Sequence, residues 1–184
     1  MNQSSVILKS GLESFAGFEE NVKLVGLVSD THIAARIAKL PQRVFDIFKE
    51  ASLIIHAGDL VSLKVIEDLE KIAPVVAVHG NADPREVRIR LPVMNSTAVF
   101  NWNIGVVHDA GALWGKGKMR QIAEENGFDV LVLGHTHRAY LETGPVVFIN
   151  PGSPTDPFPP YIVKPSVGLL RVAPERVEPS IVEL

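Results

Sequence analysis

The sequence predicts an α/β fold in which two mixed β-sheets pack together and helices cover their outer faces. Its first half alternates short apolar runs with segments of helical period, which is the pattern of parallel strands joined by helices. Its second half changes to hairpins, which indicates that antiparallel strands extend the parallel ones. The chain has 184 residues, enough for one domain with a substantial core.

The strand–helix units begin at Lys23. Each strand is a short apolar run that stops at polar residues or glycine, as buried strands of parallel sheets do. The three predicted strands are 23–28, 53–55 and 75–78. Two helices lie between them, at 41–50 and 63–72, because apolar residues recur there with a helical period.

The rest of the domain is predicted to hold three hairpins, one helix and one further buried strand. Each hairpin joins two short apolar strands, and the three span 96–107, 138–150 and 167–182. The helix is predicted at 119–126, where Gly127 ends it, and the strand at 130–133. A Pro-rich segment at 151–160 is expected to form a loop of fixed conformation near the site.

Residues 1–22 form an N-terminal extension to the single domain predicted at 23–184. The extension carries two short apolar clusters, around Ile7 and Phe15, but no clear period. It could be a flexible leader, or a segment that docks on the domain or on a neighbouring subunit. Either the extension or an exposed hairpin edge could support a homo-oligomer.

Composition and charge exclude several classes of protein. Eighteen basic and 21 acidic residues give a net charge of −3, which disfavours nucleic acid or an anionic membrane as a partner. The absence of cysteine excludes disulfides and thiolate metal sites. No apolar run approaches the ~20 residues of a membrane span, and the N-terminus lacks the pattern of a signal peptide. We therefore expect a cytoplasmic protein.

Five of the predicted strands end directly in residues that can bind a metal ion. In open α/β sheets, ligands bind beyond the carboxyl ends of parallel strands, so residues far apart in sequence can converge there. Two pairs of these residues are spaced two apart, which predicts that both side chains lie on one side of extended backbone. Glycines at 58, 80 and 134 would let the backbone turn sharply. The candidate ligands are Asp30, His32, Asp59, Asn81, His108, His135 and His137.

These side chains are close to the set that two cations need. Mixed imidazole and carboxylate ligands suit Mn, Fe, Zn or Ni better than Mg or Ca. A carboxylate has two oxygens and can bridge two ions, and Asp59 is the candidate bridge because it lies in the middle of the set.

The ordered motifs resemble those of the calcineurin-like metallophosphoesterases. They are SDTH at 29–32, AGD at 57–59, HGNAD at 79–83, VVH at 106–108 and GHTH at 134–137. The small size and the NPGS at 150–153 are similar to the short phosphodiesterase branch, which includes the retromer subunit Vps29. The resemblance covers Lys23 to the C-terminus and implies a four-layer αββα sandwich.

The resemblance also implies two metal positions and a reaction. The first metal would be held by Asp30, His32, Asp59 and His137, and the second by Asp59, Asn81, His108 and His135. Mn²⁺ is the expected ion at both, with Ni²⁺, Zn²⁺, Fe²⁺ or Co²⁺ as alternatives. The reaction would be two-metal hydrolysis of a phosphodiester in a small molecule, with a metal-bridging hydroxide as nucleophile. Asn81 and His108 would be catalytic residues as well as ligands.

Two departures from the family pattern leave the general acid unassigned. Larger relatives often have a His directly after Gly-Asn, where this chain has Ala82. Many short relatives follow the fourth motif with Gly-His, where this chain has Asp109-Ala110. A diester, or an ester with a good leaving group, is therefore favoured over a demanding monoester.

A Vps29-like protein-binding scaffold with little or no catalysis is the alternative function. A scaffold is free to lose metal ligands, whereas this chain keeps one at every expected position, which favours the enzyme. A nuclease acting on long nucleic acid is disfavoured because aromatic and basic residues are not interleaved.

Other polar residues near the motifs have simpler interpretations. His56 and His79 are expected to be structural, and Asp83 to tie down its own loop. Arg85, Arg88 and Arg90 could meet an anionic substrate or only cover the surface. The segment 114–118 is interpreted as a solvated loop, with phosphate binding as the alternative.

Overall fold

The computed structural model describes residues 7–8, 21–33, 39–111, 116–160 and 162–184. Their strands form two mixed sheets. The strands are β1 (Ile7–Leu8), β2 (Lys23–Val28), β3 (Leu53–His56), β4 (Val75–Ala77), β5 (Met94–Val99), β6 (Trp102–Val107), β7 (Val130–Val132), β8 (Ala139–Glu142), β9 (Val147–Pro151), β10 (Ser166–Ala173) and β11 (Arg176–Glu183). The helices are α1 (Gln42–Phe48), α2 (Lys64–Leu69), α3 (Arg85–Arg90) and α4 (Lys116–Asn126).

The first sheet has the strand order β1-β11-β10-β2-β3-β4. Its strands β2, β3 and β4 are parallel, so their carboxyl ends share one edge, while β10 runs antiparallel to β2. The second sheet has the order β5-β6-β7-β9-β8. There β6, β7 and β9 are parallel, and antiparallel strands form both edges.

Apolar side chains pack the two sheets face to face. Val25, Leu27 and Ile55 of the first sheet share one buried cluster with Ile104 and Val130 of the second. This inner core fixes the relative position of the two sheets, and with it the position of the loops at their carboxyl edges.

Helices cover the two outer faces and complete the four layers. Residues of α1, α2 and α3, including Phe48 and Leu69, pack on Val28 and Ile54 of the first sheet. On the other side, Ala123 of α4 packs on Leu131 and Phe148 of the second sheet. The α/β sandwich predicted from the sequence is confirmed.

Two elements were not predicted. Helix α3 buries Val87 alone, so it carries no apolar period, although Pro84 at its start and Arg88 and Arg90 in its last turn are helix-end signals. Strand β1 is two residues long and pairs antiparallel with Arg176 and Val177. The rest of the extension, apart from residues 21–22, lies outside the described residues. The helix predicted at 119–126 begins earlier, at Lys116.

None of the helices in the described ranges is both long and apolar enough to cross a membrane.

Candidate metal centre

The seven candidate ligands lie at the carboxyl ends of parallel strands from both sheets. Asp30, Asp59 and Asn81 follow β2, β3 and β4 of the first sheet. His108 and His135 follow β6 and β7 of the second sheet, and His32 and His137 lie two residues beyond Asp30 and His135. The structure brings all seven side chains together where the two carboxyl edges meet.

One half of the site joins Asp30, His32, Asp59 and His137. One ligand atom from each of these four side chains lies within 4.8 Å of the others. The two imidazole Nε2 atoms of His32 and His137 are 3.2 Å apart. His137 Nε2 is 3.4 Å from Asp30 Oδ1, and His32 Nε2 is 3.8 Å from Asp59 Oδ2.

The other half of the site joins Asn81, His108 and His135. The amide oxygen of Asn81 lies 3.0 Å from His108 Nε2 and 2.8 Å from His135 Nδ1. His108 Nε2 is also 3.3 Å from Asp59 Oδ2, the same oxygen that faces His32. The carboxylate of Asp59 therefore connects the two halves.

Hydrogen bonds on the far side of two imidazoles fix which nitrogen faces the site. His137 Nδ1 donates to the carbonyl oxygen of Asp156 at 2.6 Å, and His108 Nδ1 donates to that of Ala57 at 2.8 Å. Because a carbonyl only accepts, the proton of each neutral ring sits on Nδ1 and the lone pair on Nε2 faces the site.

This arrangement fits a cation. In neutral His108 the Nε2 lone pair faces two other acceptors, the oxygens of Asn81 and Asp59, and three acceptors do not bind one another. Asp59 is 2% exposed and His108 is 4% exposed, so water screens their oxygen and nitrogen atoms poorly. A proton or a metal ion among them satisfies all three.

The backbone at these loops adopts the left-handed conformation. Asp30, His32, Asp59, His135 and His137 have φ values of 53°, 43°, 56°, 73° and 55°. Non-glycine residues rarely adopt such angles, and their clustering is typical of functional sites. The prediction of extended backbone at the two paired motifs is therefore wrong. Hydrogen bonds to the loop after β3, such as that from His32 N–H to the Asp59 carbonyl at 3.0 Å, hold the turned conformation.

The three glycines in the motifs serve two purposes. Gly58 has a φ of +89°, as the prediction of a sharp turn requires. Gly80 and Gly134 instead allow close approach. A Cβ on Gly80 would collide with the Asp59 carboxylate, and one on Gly134 would lie 2.6 Å from the Ala57 carbonyl oxygen.

A sequence profile of the calcineurin-like phosphoesterase superfamily domain matches residues 24–173, a range that contains all seven candidate ligands. The chain belongs to the calcineurin-like phosphoesterase superfamily.

Two relatives and one solved structure illustrate the similarity. A probable metallophosphoesterase of Methanothermobacter thermautotrophicus is 39% identical over 163 residues, covering 86% of this chain and 91% of that protein. A phosphodiesterase of Methanocaldococcus jannaschii is 32% identical over 141 residues, covering 70% of this chain and 82% of that protein. Vacuolar protein sorting 29 of Cryptosporidium parvum has the same fold, with a TM-score of 0.78 at 24% identity, covering 89% of this chain and 92% of that one.

Asp83 organises two of the loops that carry candidate ligands. Its buried carboxylate accepts the backbone N–H groups of Asp59 at 3.0 Å, Gly80 at 2.7 Å and Val61 at 2.6 Å. Sequence reasoning assigned Asp83 to its own loop only. The structure adds the Asp59 loop, a contact that local spacing could not reveal.

The NPGS segment supports the loops from the other side. Asn150 Nδ2 donates to the carbonyl oxygen of Gly134 at 2.7 Å, and Ser153 Oγ donates to that of Asp30 at 2.7 Å. Ser153 belongs to the Pro-rich loop at 151–160, which was predicted to have a fixed conformation near the site, and its bond to Asp30 agrees with that prediction.

Burial and neighbouring charges set the protonation of the ligands. Burial raises the pKa of Asp30 and lowers the pKa of His32. Burial is also the largest influence on the pKa of His108 and lowers it, but the hydrogen bond to Asp59 and the carboxylate charges outweigh it, so the pKa is raised. Burial raises the pKa of Asp59, but the hydrogen bond and the charge of His108 outweigh it, so the pKa is lowered. A positive charge is thus favoured between Asp59 and His108.

The other polar residues near the motifs occupy supporting positions. His56 is fully buried: its Nδ1 accepts the Gly58 N–H at 3.2 Å, and its Nε2 lies 3.2 Å from Thr31 Oγ1. His79 bonds through Nδ1 to the Gly80 carbonyl at 3.3 Å. Arg88 Nε donates to the Asp83 carbonyl at 2.7 Å, and its Nη2 donates to the Asn81 carbonyl. In the segment 114–118, residues 114–115 lie outside the described residues and α4 begins at Lys116.

Proposed function

We propose that the protein is a phosphodiesterase that works with two divalent metal ions. The observation that carries this proposal is the position of Asp59 Oδ2, which lies 3.8 Å from His32 Nε2 in one half of the site and 3.3 Å from His108 Nε2 in the other. A carboxylate between two sets of imidazole and oxygen donors is the arrangement that a pair of ions requires.

The donors divide between two ions. Asp30, His32, Asp59 and His137 would hold the first ion, and Asp59, Asn81, His108 and His135 would hold the second. The Nδ1 atoms of His108 and His137 donate hydrogen bonds to carbonyl oxygens. These bonds orient both rings and raise the basicity of each Nε2 towards a metal. Mn²⁺ is our first choice because mixed nitrogen and oxygen donors suit it, and Ni²⁺, Zn²⁺, Fe²⁺ and Co²⁺ share that preference.

A bound pair of ions would act as a Lewis acid on the phosphoryl oxygens and lower the pKa of coordinated water towards ~7. The chain itself positions the donors. Asp83 and the NPGS segment hold the loops rigid, so the donors need little rearrangement to bind.

The chain supplies no side-chain proton donor at the position after Asn81. Ala82 has only a methyl group there, and its N–H is already bound to Asp59 Oδ1 at 2.7 Å. An ester whose leaving group departs without protonation is therefore the favoured substrate. This preference, and the similarity to a relative named as a phosphodiesterase, support a diesterase over a monoesterase.

A protein-binding scaffold of the Vps29 kind is the second candidate. The observation that favours it is the exposure of two large apolar side chains on and just after α3, with Ile89 exposed by 72% and Val93 by 69%. Such side chains in water often mark a surface that binds another molecule.

Hydrolysis of bis(p-nitrophenyl) phosphate by protein stripped with a chelator and resupplied with Mn²⁺ tests the enzyme directly. We expect turnover that depends on metal and is lost in Asp59→Asn. The matched control is Asp46→Asn, because Asp46 lies on α1 and binds Gln42 at the surface. Intact metal binding without turnover in any of Mn²⁺, Ni²⁺, Zn²⁺ or Co²⁺ would favour the scaffold instead.

A further inference from the structure

A pocket opens beside the second half of the candidate metal centre. Asn81, His108 and His135 line one side of it, and its volume is about 690 Å³. Pockets that hold drug-sized ligands span about 300–1,000 Å³, so this pocket has room for much more than a phosphoryl group. The walls away from the candidate ligands would therefore contact the parts of a substrate other than its phosphoryl group.

Part of the pocket wall is apolar although it faces water. Val93, which precedes β5, and Met94, its first residue, are exposed by 69% and 40%. Ile122 of α4 contributes a further aliphatic side chain to the same pocket. Apolar side chains that stay in water beside a polar site are typical of a wall that a ligand covers.

Two cations also line the pocket. Arg88 is bound to the carbonyl oxygens of Asn81 and Asp83, which are neutral, so its positive charge is not cancelled. Lys118 is exposed at the start of α4. Within the described part of the chain, neither cation forms a salt bridge with a carboxylate. Asp109 lines the pocket too, with its carboxylate bound to the Gly111 N–H at 2.7 Å.

We propose that this pocket selects phosphodiesters that carry one bulky substituent with an apolar face, of about the size of a nucleoside. The inference rests on the proposed phosphodiesterase function and names its substrate class. The phosphoryl group lies at Asn81, His108 and His135, and the substituent lies along Val93, Met94 and Ile122. Arg88 and Lys118 attract the anion to the pocket.

Two chromogenic esters with the same leaving group test this selection. Methyl p-nitrophenyl phosphate and thymidine 5′-(p-nitrophenyl) phosphate both release p-nitrophenolate and differ only in the other substituent. We expect kcat/KM to be at least about tenfold higher for the thymidine ester, since burial of its base and sugar against the wall adds binding energy.

Variants of Val93 and of Lys118 separate binding of the apolar face from attraction of the anion. Val93→Ser should lower kcat/KM for the thymidine ester about threefold to fivefold and leave the methyl ester unchanged. Its control is Ile162→Ser, because Ile162 is also exposed, by 79%, and lies outside this pocket. Lys118→Gln should lower kcat/KM for both esters about threefold, and the surface control Lys64→Gln should not.

A binding measurement keeps the inference separate from the proposed function. Titration of the Mn²⁺-loaded protein with thymidine 5′-monophosphate and with inorganic phosphate should show tighter binding of the nucleotide, weakened in Val93→Ser. Hydrolysis of both esters at equal kcat/KM would overturn the substrate class and leave the phosphodiesterase standing. Failure to hydrolyse either ester would overturn the proposed function, and equal affinity for nucleotide and phosphate would then overturn the pocket as well.

Discussion

At the scale of the residue, Asp83 links the loops that carry Asp59 and Asn81. Its two oxygens accept three backbone N–H groups. An asparagine amide cannot accept all three, because an NH2 group, which only donates, replaces one of the oxygens. We expect Asp83→Asn to weaken Mn²⁺ binding about 10–100-fold, as loss of a partner that orients metal ligands does. Calorimetric titration with Mn²⁺ measures this.

Asp129 provides the matched control for Asp83. Its carboxylate also accepts a backbone N–H, that of Asn103 at 2.8 Å, but at the start of β6 and β7, away from the candidate ligands. Asp129→Asn should lower the free energy of unfolding and leave Mn²⁺ affinity unchanged. Equal losses of affinity in the two variants would show that Asp83 contributes to stability alone.

His56 gives the pH prediction. Burial lowers its pKa from 6.5 to about 3 in the folded protein, assisted by the charge of His108. Between these values the unfolded chain binds a proton that the folded protein does not, so stability falls as pH falls. The contribution of neutral His56 to the free energy of unfolding is complete above pH 6.5 and is lost progressively towards pH 3.

Urea unfolding of the chelated protein at pH 6 and pH 5 tests this effect. The free energy of unfolding of the wild type should fall by about 1 kcal/mol more than that of His56→Gln over this interval. Parallel pH dependence in the two proteins would mean that His56 does not titrate between its folded and unfolded states as described.

At the scale of the element, the turn after β7 must pass very close to the turn after β3. A Cβ on Gly134 would lie 2.6 Å from the Ala57 carbonyl oxygen and 3.0 Å from His108 Nδ1. Gly134→Ala should therefore destabilise the protein by about 1–3 kcal/mol and displace His108. Gly144→Ala is the control, because the nearest atom to its Cβ would be 3.9 Å away.

Thermal unfolding and Mn²⁺ titration of both glycine variants check this prediction. We expect Gly134→Ala to lose stability and metal affinity together, while Gly144→Ala keeps both. A Gly134→Ala variant that binds Mn²⁺ as the wild type does would show that the two turns can separate without cost to the site.

The elements also show which features the sequence could predict. The strands that carry the candidate ligands are apolar runs that stop at polar residues, so their positions and the seven residues were found from local pattern. Helix α3 was missed because it buries Val87 alone and has no apolar period. The left-handed backbone at Asp30 and His32 was missed because bonds to the separate 58–60 segment impose it, and local spacing carries no sign of them.

At the scale of the whole molecule, the candidate metal centre lies where two sheets meet, so a bound ion would fasten one sheet to the other. A ligand that binds only the folded state stabilises it, by about 2.7 kcal/mol at 100 times its Kd. We expect chelation to lower the Tm and Mn²⁺ to restore it. Calorimetric scans of the chelated and Mn²⁺-loaded protein measure the shift, and an unchanged Tm would contradict binding at this site.

The central claim, that Asp59 bridges two ions, is tested most directly by counting bound Mn²⁺ and measuring its magnetic coupling. The protein is loaded with Mn²⁺, freed of excess metal, and examined by elemental analysis and electron paramagnetic resonance. The account predicts about two ions per chain with the spectrum of a coupled pair, and loss of the coupling in Asp59→Asn. One ion per chain, or two uncoupled ions in the wild type, would contradict it.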